Sequence, residues 1–162
     1  ALDTFATPGF GNDLWQLTGS MSVAWNGQWG NDTLVAADGG ATFAGETGDD
    51  VLVGGAGADS FLGGANNDLF VEIGGGADTV DGGGGGDTVA DGPGSTLFLA
   101  GEGDDLFSRA AGLTRRVDAI LPLPYVGTGS AATLPMAPGG ADTMFGGAGN
   151  DTYLGGFGAD LF

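Results

Sequence analysis

Residues Gly54 to Val71 read GGAGADSFLGGANNDLFV, which is two consecutive nonamers of one pattern. Each nonamer has glycine at its first two positions, Asp at the sixth and an aromatic residue at the eighth. The pattern recurs along the chain, and its sixth position carries Asp13, Asp32, Asp50, Asp59, Asp68, Asp78, Asp87, Asp105, Asp142, Asp151 and Asp160. The eighth position is apolar or aromatic in every one of these copies, from Trp15 to Phe162. A fixed period of this kind predicts a repeat architecture.

The composition of the chain excludes several classes of function. The 162 residues include 37 Gly and 6 Pro, carry a formal charge of −18, and contain no His and no Cys. A zinc site built from Cys or His, a disulfide and a thiol nucleophile are therefore excluded. Nucleic-acid binding is disfavoured because it needs clustered Lys and Arg, and the sequence has no apolar run long enough to span a membrane.

The repeat Gly-Gly-x-Gly-x-Asp, followed by a short hydrophobic strand, resembles the RTX (repeats-in-toxin) nonapeptide, or hemolysin-type calcium-binding repeat. The matching copies cover residues 8–16, 27–35, 45–108 and 137–162. The resemblance implies an all-β, right-handed parallel β-roll, a β-solenoid in which two nonamers form a turn of about 18 residues. It also implies six-residue loops that bind calcium and three-residue strands that stack into two parallel sheets.

Elementary chemistry leads to a similar expectation. Calcium prefers six to eight hard oxygen ligands, which carboxylates and backbone carbonyls supply. Side chains alternate along a strand, so the eighth position faces the interior of the roll. A three-residue strand is unstable alone, and stacking on neighbouring turns buries its inward side chain.

The spacing of the aspartates places them on two edges of the roll. We name as the long Asp row Asp13, Asp32, Asp50, Asp68, Asp87 and Asp105, and expect Asp142 and Asp160 to continue it because the gap of 37 residues equals two turns. We name as the short Asp row Asp59, Asp78 and Asp151, in which Ala41 and Thr96 stand where Asp is expected. We predict dense calcium binding along the long row and sporadic binding along the short row.

Each ion is expected to lie between the loops of adjacent turns and to share their two carboxylates. The expected pairs are Asp13/Asp32, Asp32/Asp50, Asp50/Asp68, Asp68/Asp87, Asp87/Asp105, Asp59/Asp78 and Asp142/Asp160, which gives roughly seven calcium ions. Without calcium the carboxylates of adjacent turns repel one another. The sequence therefore predicts a chain that folds as calcium binds.

Four segments are expected along the chain. Residues 1–44 form irregular N-terminal coils of the roll, 45–108 the regular RTX roll, 109–136 either degenerate coils or a protruding loop, and 137–162 the C-terminal repeats. The segment 109–136 contains Arg109, Arg115 and Arg116, the three cations of the chain. The chain begins at Ala1 without a signal peptide and ends within a repeat, so we expect a fragment or a processed product.

Two classes of function remain open from the sequence, and neither is an enzyme, because Ser and Thr have no His or Lys to activate them. One is a calcium-binding folding module of a secreted or cell-surface protein exported by type I secretion. The other is a subunit of a surface lattice, adhesin or particle coat that associates with its neighbours through a flat apolar outer sheet. Residues such as Val51, Val53, Leu69 and Val71 would form that outer sheet face.

Overall fold

The structure is a computed structural model that describes residues 9–72, 74–109, 143–147, 150, 152–154 and 161–162. Within these ranges it contains thirteen strands and no helix. The strands are β1 (Leu14–Gln16), β2 (Val23–Trp29), β3 (Thr33–Val35), β4 (Ala41–Thr47), β5 (Val51–Gly54), β6 (Ser60–Ala65), β7 (Leu69–Glu72), β8 (Ala77–Gly84), β9 (Thr88–Asp91), β10 (Ser95–Glu102), β11 (Leu106–Arg109), β12 (Thr143–Phe145) and β13 (Thr152–Leu154).

The strands alternate between two parallel sheets. The seven-stranded sheet has the order β1-β3-β5-β7-β9-β11-β13, and the six-stranded sheet has the order β12-β10-β8-β6-β4-β2. From β1 to β11, paired residues lie 18 or 19 positions apart, as in Leu34↔Leu52 and Leu69↔Thr88. The strands of segment 1–44 pair in the same way as those that follow. The predicted all-β parallel roll, with about 18 residues per turn, is confirmed.

The core is a narrow column of side chains between the two sheets. Its eighth-position members are each at most 2% exposed, and they are Leu34, Leu52, Phe61, Phe70, Val80, Val89, Phe107 and Met144. Aromatic rings stack along this column, and the ring centroids of Trp25 and Phe43 are 5.3 Å apart. Burial of these side chains against neighbouring turns is what stabilises strands of three or four residues. Phe162 differs from the prediction because 67% of it is exposed.

The outer face of the seven-stranded sheet is less exposed than the sequence predicts. Val53 and Val71 alternate with the inward-facing Leu52 and Phe70, yet they are only 2% and 3% exposed. Val51 and Leu69 on the same face are half-buried. The apolar surface available to a partner on this face is therefore smaller than expected.

The roll resumes after residues 110–142, which lie outside the described residues together with most of segment 109–136. Thr143 pairs with Leu97 in β10, and Thr152 pairs with Leu106 in β11. The strand after Asp142 therefore belongs to the six-stranded sheet, and the strand after Asp151 to the seven-stranded sheet. The prediction that the 37-residue gap preserves the edge assignment is wrong, because β12 stacks directly on β10 without an intervening turn.

Candidate metal centre

The described members of the long Asp row are held by one repeated hydrogen bond. Each Asp directly precedes a strand of the seven-stranded sheet, and its Oδ1 accepts the backbone N–H of the Asp one turn earlier. The N···O distances lie between 2.7 and 2.9 Å for the pairs Asp13/Asp32, Asp32/Asp50, Asp50/Asp68, Asp68/Asp87 and Asp87/Asp105. The row therefore fixes the carboxylates of adjacent turns next to one another, in the pairs expected from the sequence.

The second oxygen of these carboxylates is left without a partner. Among the described residues, the Oδ2 atoms of Asp32, Asp50, Asp68 and Asp87 are buried and have no hydrogen-bond partner. Their parent residues are at most 3% exposed. Buried polar atoms are nearly always paired, and a buried carboxylate needs a counter-charge. These oxygens are therefore candidate ligand atoms for a row of cations.

The first-position glycine of each loop lets a carboxylate and a carbonyl oxygen come close to the backbone. A β-carbon added to Gly45 would lie less than 3.0 Å from both Asp50 Oδ2 and the carbonyl oxygen of Gly63, which is 2.7 Å away, so any other residue would push these oxygens apart. The equivalent carboxylate and carbonyl oxygens flank Gly27, Gly63 and Gly82. Carboxylate and carbonyl oxygens are the hard ligands that calcium prefers, so the residues present fit calcium.

Burial disfavours the charge of these carboxylates in the absence of an ion. It raises the pKa of Asp50 and Asp87 to about 6 and that of Asp68 to about 7. The backbone hydrogen bond to each carboxylate lowers its pKa, whereas the charge of a neighbouring Asp raises it further. A cation between the turns would remove both penalties at once.

A second row of side-chain hydrogen bonds runs in the opposite direction along the same edge. The side-chain oxygens of Asn12, Asn31, Asp49 and Asn67 accept the N–H of the residue one turn later, at 2.7–3.1 Å. These residues occupy the fifth position of the nonamer and are exposed. The sequence interpretation missed this row, although Asn or Asp at the fifth position in four successive turns is a visible signal. The two rows together fix the loops from both sides of the edge.

The short Asp row shows the two predicted gaps. Thr96 is in register with Asp78, and the N–H of Ala41 donates to Asp59 Oδ1 at 2.6 Å. The N–H of Asp59 donates in turn to Asp78 Oδ1 at 2.9 Å. Burial raises the pKa of Asp78 to about 6 and also raises that of Asp59. Only the pair Asp59/Asp78 repeats the long-row arrangement among the residues described on this edge.

Glu72 is a candidate metal ligand that the sequence interpretation missed. It stands at the end of β7, in register with Gly54 on β5, and is 2% exposed. One carboxylate oxygen from each of Asp59, Glu72 and Asp78 lies within 4.8 Å of the others. Burial, followed by the charges of Asp78, Asp59 and Asp91, raises the pKa of Glu72 to about 10. A charged residue at an inward-facing first position, where most copies have glycine, was the available signal.

Eight of the eleven predicted ligands, from Asp13 to Asp105, thus lie at the ends of turns and on one of the two rows. The side chains of Asp142, Asp151 and Asp160 lie outside the described residues. Over the part of the chain that the structure describes, no helix has the length and apolar character needed to cross a membrane.

Comparison with known proteins gives one match. The sequence model of the RTX calcium-binding nonapeptide repeat matches four copies, at residues 35–70, 74–89 and 139–162. The searches of curated proteins and of solved structures found no match. The matched copies contain Asp50, Asp59, Asp68, Asp78 and Asp87, whose carboxylates form the two rows described above. The chain therefore contains RTX calcium-binding nonapeptide repeats, the repeat of a structural calcium-binding module, and its described part folds as a parallel β-roll.

Proposed function

We propose that this roll is a calcium-triggered folding module of a secreted or cell-surface protein. The observation that carries the proposal is the series of buried, unpartnered Oδ2 atoms on Asp32, Asp50, Asp68 and Asp87, each beside a glycine that lets the carboxylate approach the backbone. The ligands are the aspartates of the two rows, together with the first-position carbonyl oxygens. Bound calcium supplies the positive charge that these oxygens lack.

The number of ions follows from the number of adjacent carboxylate pairs. The described residues give five pairs on the long row and one pair, Asp59/Asp78, on the short row. The repeats at residues 139–162 add Asp142, Asp151 and Asp160. We therefore expect roughly seven calcium ions on the chain.

Folding and calcium binding are coupled by charge. The chain has 21 acidic residues and 3 Arg or Lys, so its own cations cannot compensate the carboxylates that folding brings together. Bringing the loops into register without calcium buries like charges a few ångströms apart, which is strongly unfavourable. Because an ordered site exists only in the roll, the binding free energy of the ions becomes folding free energy.

This coupling suits a protein that is exported before it folds. Binding sites in extracellular modules need calcium at about 0.1–1 mM, a concentration available outside the cell. A chain with these sites would stay unfolded inside the cell and fold after type I export. Proteins with RTX repeats are typically secreted, which agrees with this proposal.

The alternative function, self-association through the outer sheet, has weaker support. It requires a wide apolar face, and two central members of that face, Val53 and Val71, are already buried within the chain. Sedimentation in calcium separates the two functions, because the module should be monomeric and a lattice subunit should assemble.

Calorimetric titration of the chelator-treated chain tests the proposal. We expect about six or seven calcium ions per chain at saturation, with magnesium unable to replace them because it demands rigid octahedral geometry. The matched control is Asp38→Asn, an exposed aspartate outside both rows, which should leave the ion count unchanged. A count of zero or one calcium ion would overturn the proposal.

A further inference from the structure

The first-position residues on the short-row edge differ from those on the long-row edge. On the long-row edge they include Gly27, Gly45, Gly63 and Gly82, whereas on the short-row edge β5, β7 and β9 end in Gly54, Glu72 and Asp91. Glu72 faces the same side of its strand as Phe70, so its carboxylate lies inside the roll. It is 2% exposed, and in the described part of the chain neither Oε1 nor Oε2 has a hydrogen-bond partner.

Three carboxylates converge beside Glu72. Ligand atoms of Asp59, Glu72 and Asp78 all lie within 4.8 Å of one another. A β-carbon added at Gly54 would lie 2.5 Å from Asp59 Oδ2 and also less than 3.0 Å from Glu72 Oε2, so only glycine lets both carboxylates approach the backbone here. Calcium binds oxygen at about 2.3–2.6 Å, so three oxygens within 4.8 Å of one another can share one ion.

The next turn shows how the same two positions are satisfied without an ion. Asp91 replaces Glu72 and Thr96 replaces Asp78, and the Thr96 hydroxyl donates to Asp91 Oδ1 at 2.5 Å. In the turn of Glu72 the sixth position is Asp78, which is a second acceptor. No donor among the described residues takes the place of the Thr96 hydroxyl there. Two buried acceptors facing each other need a proton or a metal ion between them.

We propose that Asp59, Glu72 and Asp78 form an interior calcium site of three carboxylates, which binds more tightly than the long-row sites and fills first. It rests on the proposed function in that Asp59 and Asp78 are already proposed ligands. It differs from the long-row sites because Glu72 adds a third negative charge at a position where they have glycine. Affinity for calcium rises with the number of charged ligands, and burial strengthens the attraction.

Calcium titrations of the wild-type chain and the Glu72→Gln variant, in competition with a chelator of known affinity, test the site. Glutamine keeps the shape of the side chain and removes its charge, so the tightest site should bind calcium at least about tenfold more weakly. The matched control is Glu102→Gln, the same change at an exposed glutamate. It should leave all the affinities unchanged.

A second variant, Glu72→Gly, keeps the test valid if Glu72→Gln fails to fold. Glu72→Gly restores the residue that Gly54 has in the preceding turn, so it should fold in excess calcium, as far-UV circular dichroism can show, and lose the same tight ion. If both variants keep the tightest ion, Glu72 is a protonated side chain and the inference is wrong, while the proposed function stands. If the wild-type chain binds no calcium, the proposed function fails as well.

Discussion

The two edges of this roll are built from the same nonamer but treat its carboxylates differently. The long-row edge has one Asp per turn from Asp13 to Asp105, and glycine at nearly every first position. The short-row edge has Ala41 and Thr96 at two of its sixth positions, and carboxylates at two of its first positions, Glu72 and Asp91. The long row spreads charge evenly over many turns, whereas the other edge concentrates it at one level.

The difference shows which positions of the repeat set the number and the kind of sites. In the proposed sites, the sixth position supplies the ligand of each turn, and the first position holds either a glycine or an additional carboxylate. At Thr96 a hydrogen bond to Asp91 replaces a pair of carboxylates. Changes at the two positions should therefore have separable effects.

Asp68→Asn should have the largest effect, because Asp68 belongs to two long-row pairs, Asp50/Asp68 and Asp68/Asp87. The amide oxygen can still accept the Asp50 N–H, so the change removes charge and keeps the hydrogen bond. We expect the calcium midpoint for folding to rise at least about tenfold, and two ions to be weakened. A calcium titration followed by far-UV circular dichroism measures this midpoint.

The control Asp38→Asn should leave the midpoint in place. In excess chelator, Asp68→Asn should instead increase residual strand structure, because one repelling charge is gone. If Asp68→Asn changes the stability in the same direction with and without calcium, Asp68 has a purely structural role. That result would refute its assignment as a ligand.

Lowering the pH in excess chelator should have the next largest effect, an increase in the strand content of the ion-free chain. Burial raises the pKa of Asp50, Asp78 and Asp87 to about 6, and of Asp68 to about 7, above the value near 4 of an unfolded Asp. Raised values mean that the ion-free roll is most stable below pH about 4 and loses that stability as the pH rises through 6 to 7. Strand content in chelator should therefore increase as the pH falls from about 8 to about 5.

In calcium the response should reverse, because protons compete with the ion for the same oxygens, and the calcium midpoint should rise at about pH 5. The double variant Asp68→Asn with Asp87→Asn should show a smaller response in chelator than the wild-type chain. An ion-free chain whose strand content falls on acidification would contradict the sign of these pKa shifts.

Gly45→Ala should have the smallest of these effects and tests the first position. The added methyl group would lie less than 3.0 Å from Asp50 Oδ2 and from the Gly63 carbonyl oxygen, two proposed calcium ligands. We expect a loss of about 1–3 kcal/mol in the calcium-bound stability, measured by urea unfolding. Gly84→Ala is the matched control, since an added β-carbon there meets nothing within 4 Å. Equal effects of the two variants would show that the first position is not special.

Much of the fold could be predicted because the period of nine places most of the strands and their inward residues. The column from Leu34 to Phe107, the hydrogen-bonded pairs of the long row, and the gaps at Ala41 and Thr96 follow from counting residues. The prediction from residue spacing failed after Ser108. There β12 pairs directly with β10, so the number of intervening residues does not show which strands are neighbours. The burial of Val53 and Val71 was also missed, since alternation tells which side a residue faces but not what covers that side.

The candidate site could be predicted only where its ligands follow the repeat. Asp59 and Asp78 were found by phase, whereas Glu72 was missed because it replaces a glycine and belongs to no motif. Its role depends on its proximity to two residues from different turns, which sequence spacing alone does not reveal. The fifth-position row of Asn12, Asn31, Asp49 and Asn67 was likewise missed, because the phase of these residues does not show which backbone N–H groups they accept.

The most direct test of the central claim is far-UV circular dichroism of the whole chain in millimolar calcium and in excess chelator at neutral pH. We predict a strand spectrum in calcium, an unordered spectrum in chelator, and full recovery when calcium is returned. An unchanged strand spectrum in chelator would contradict the claim that calcium binding by the Asp rows and folding of the roll are one event.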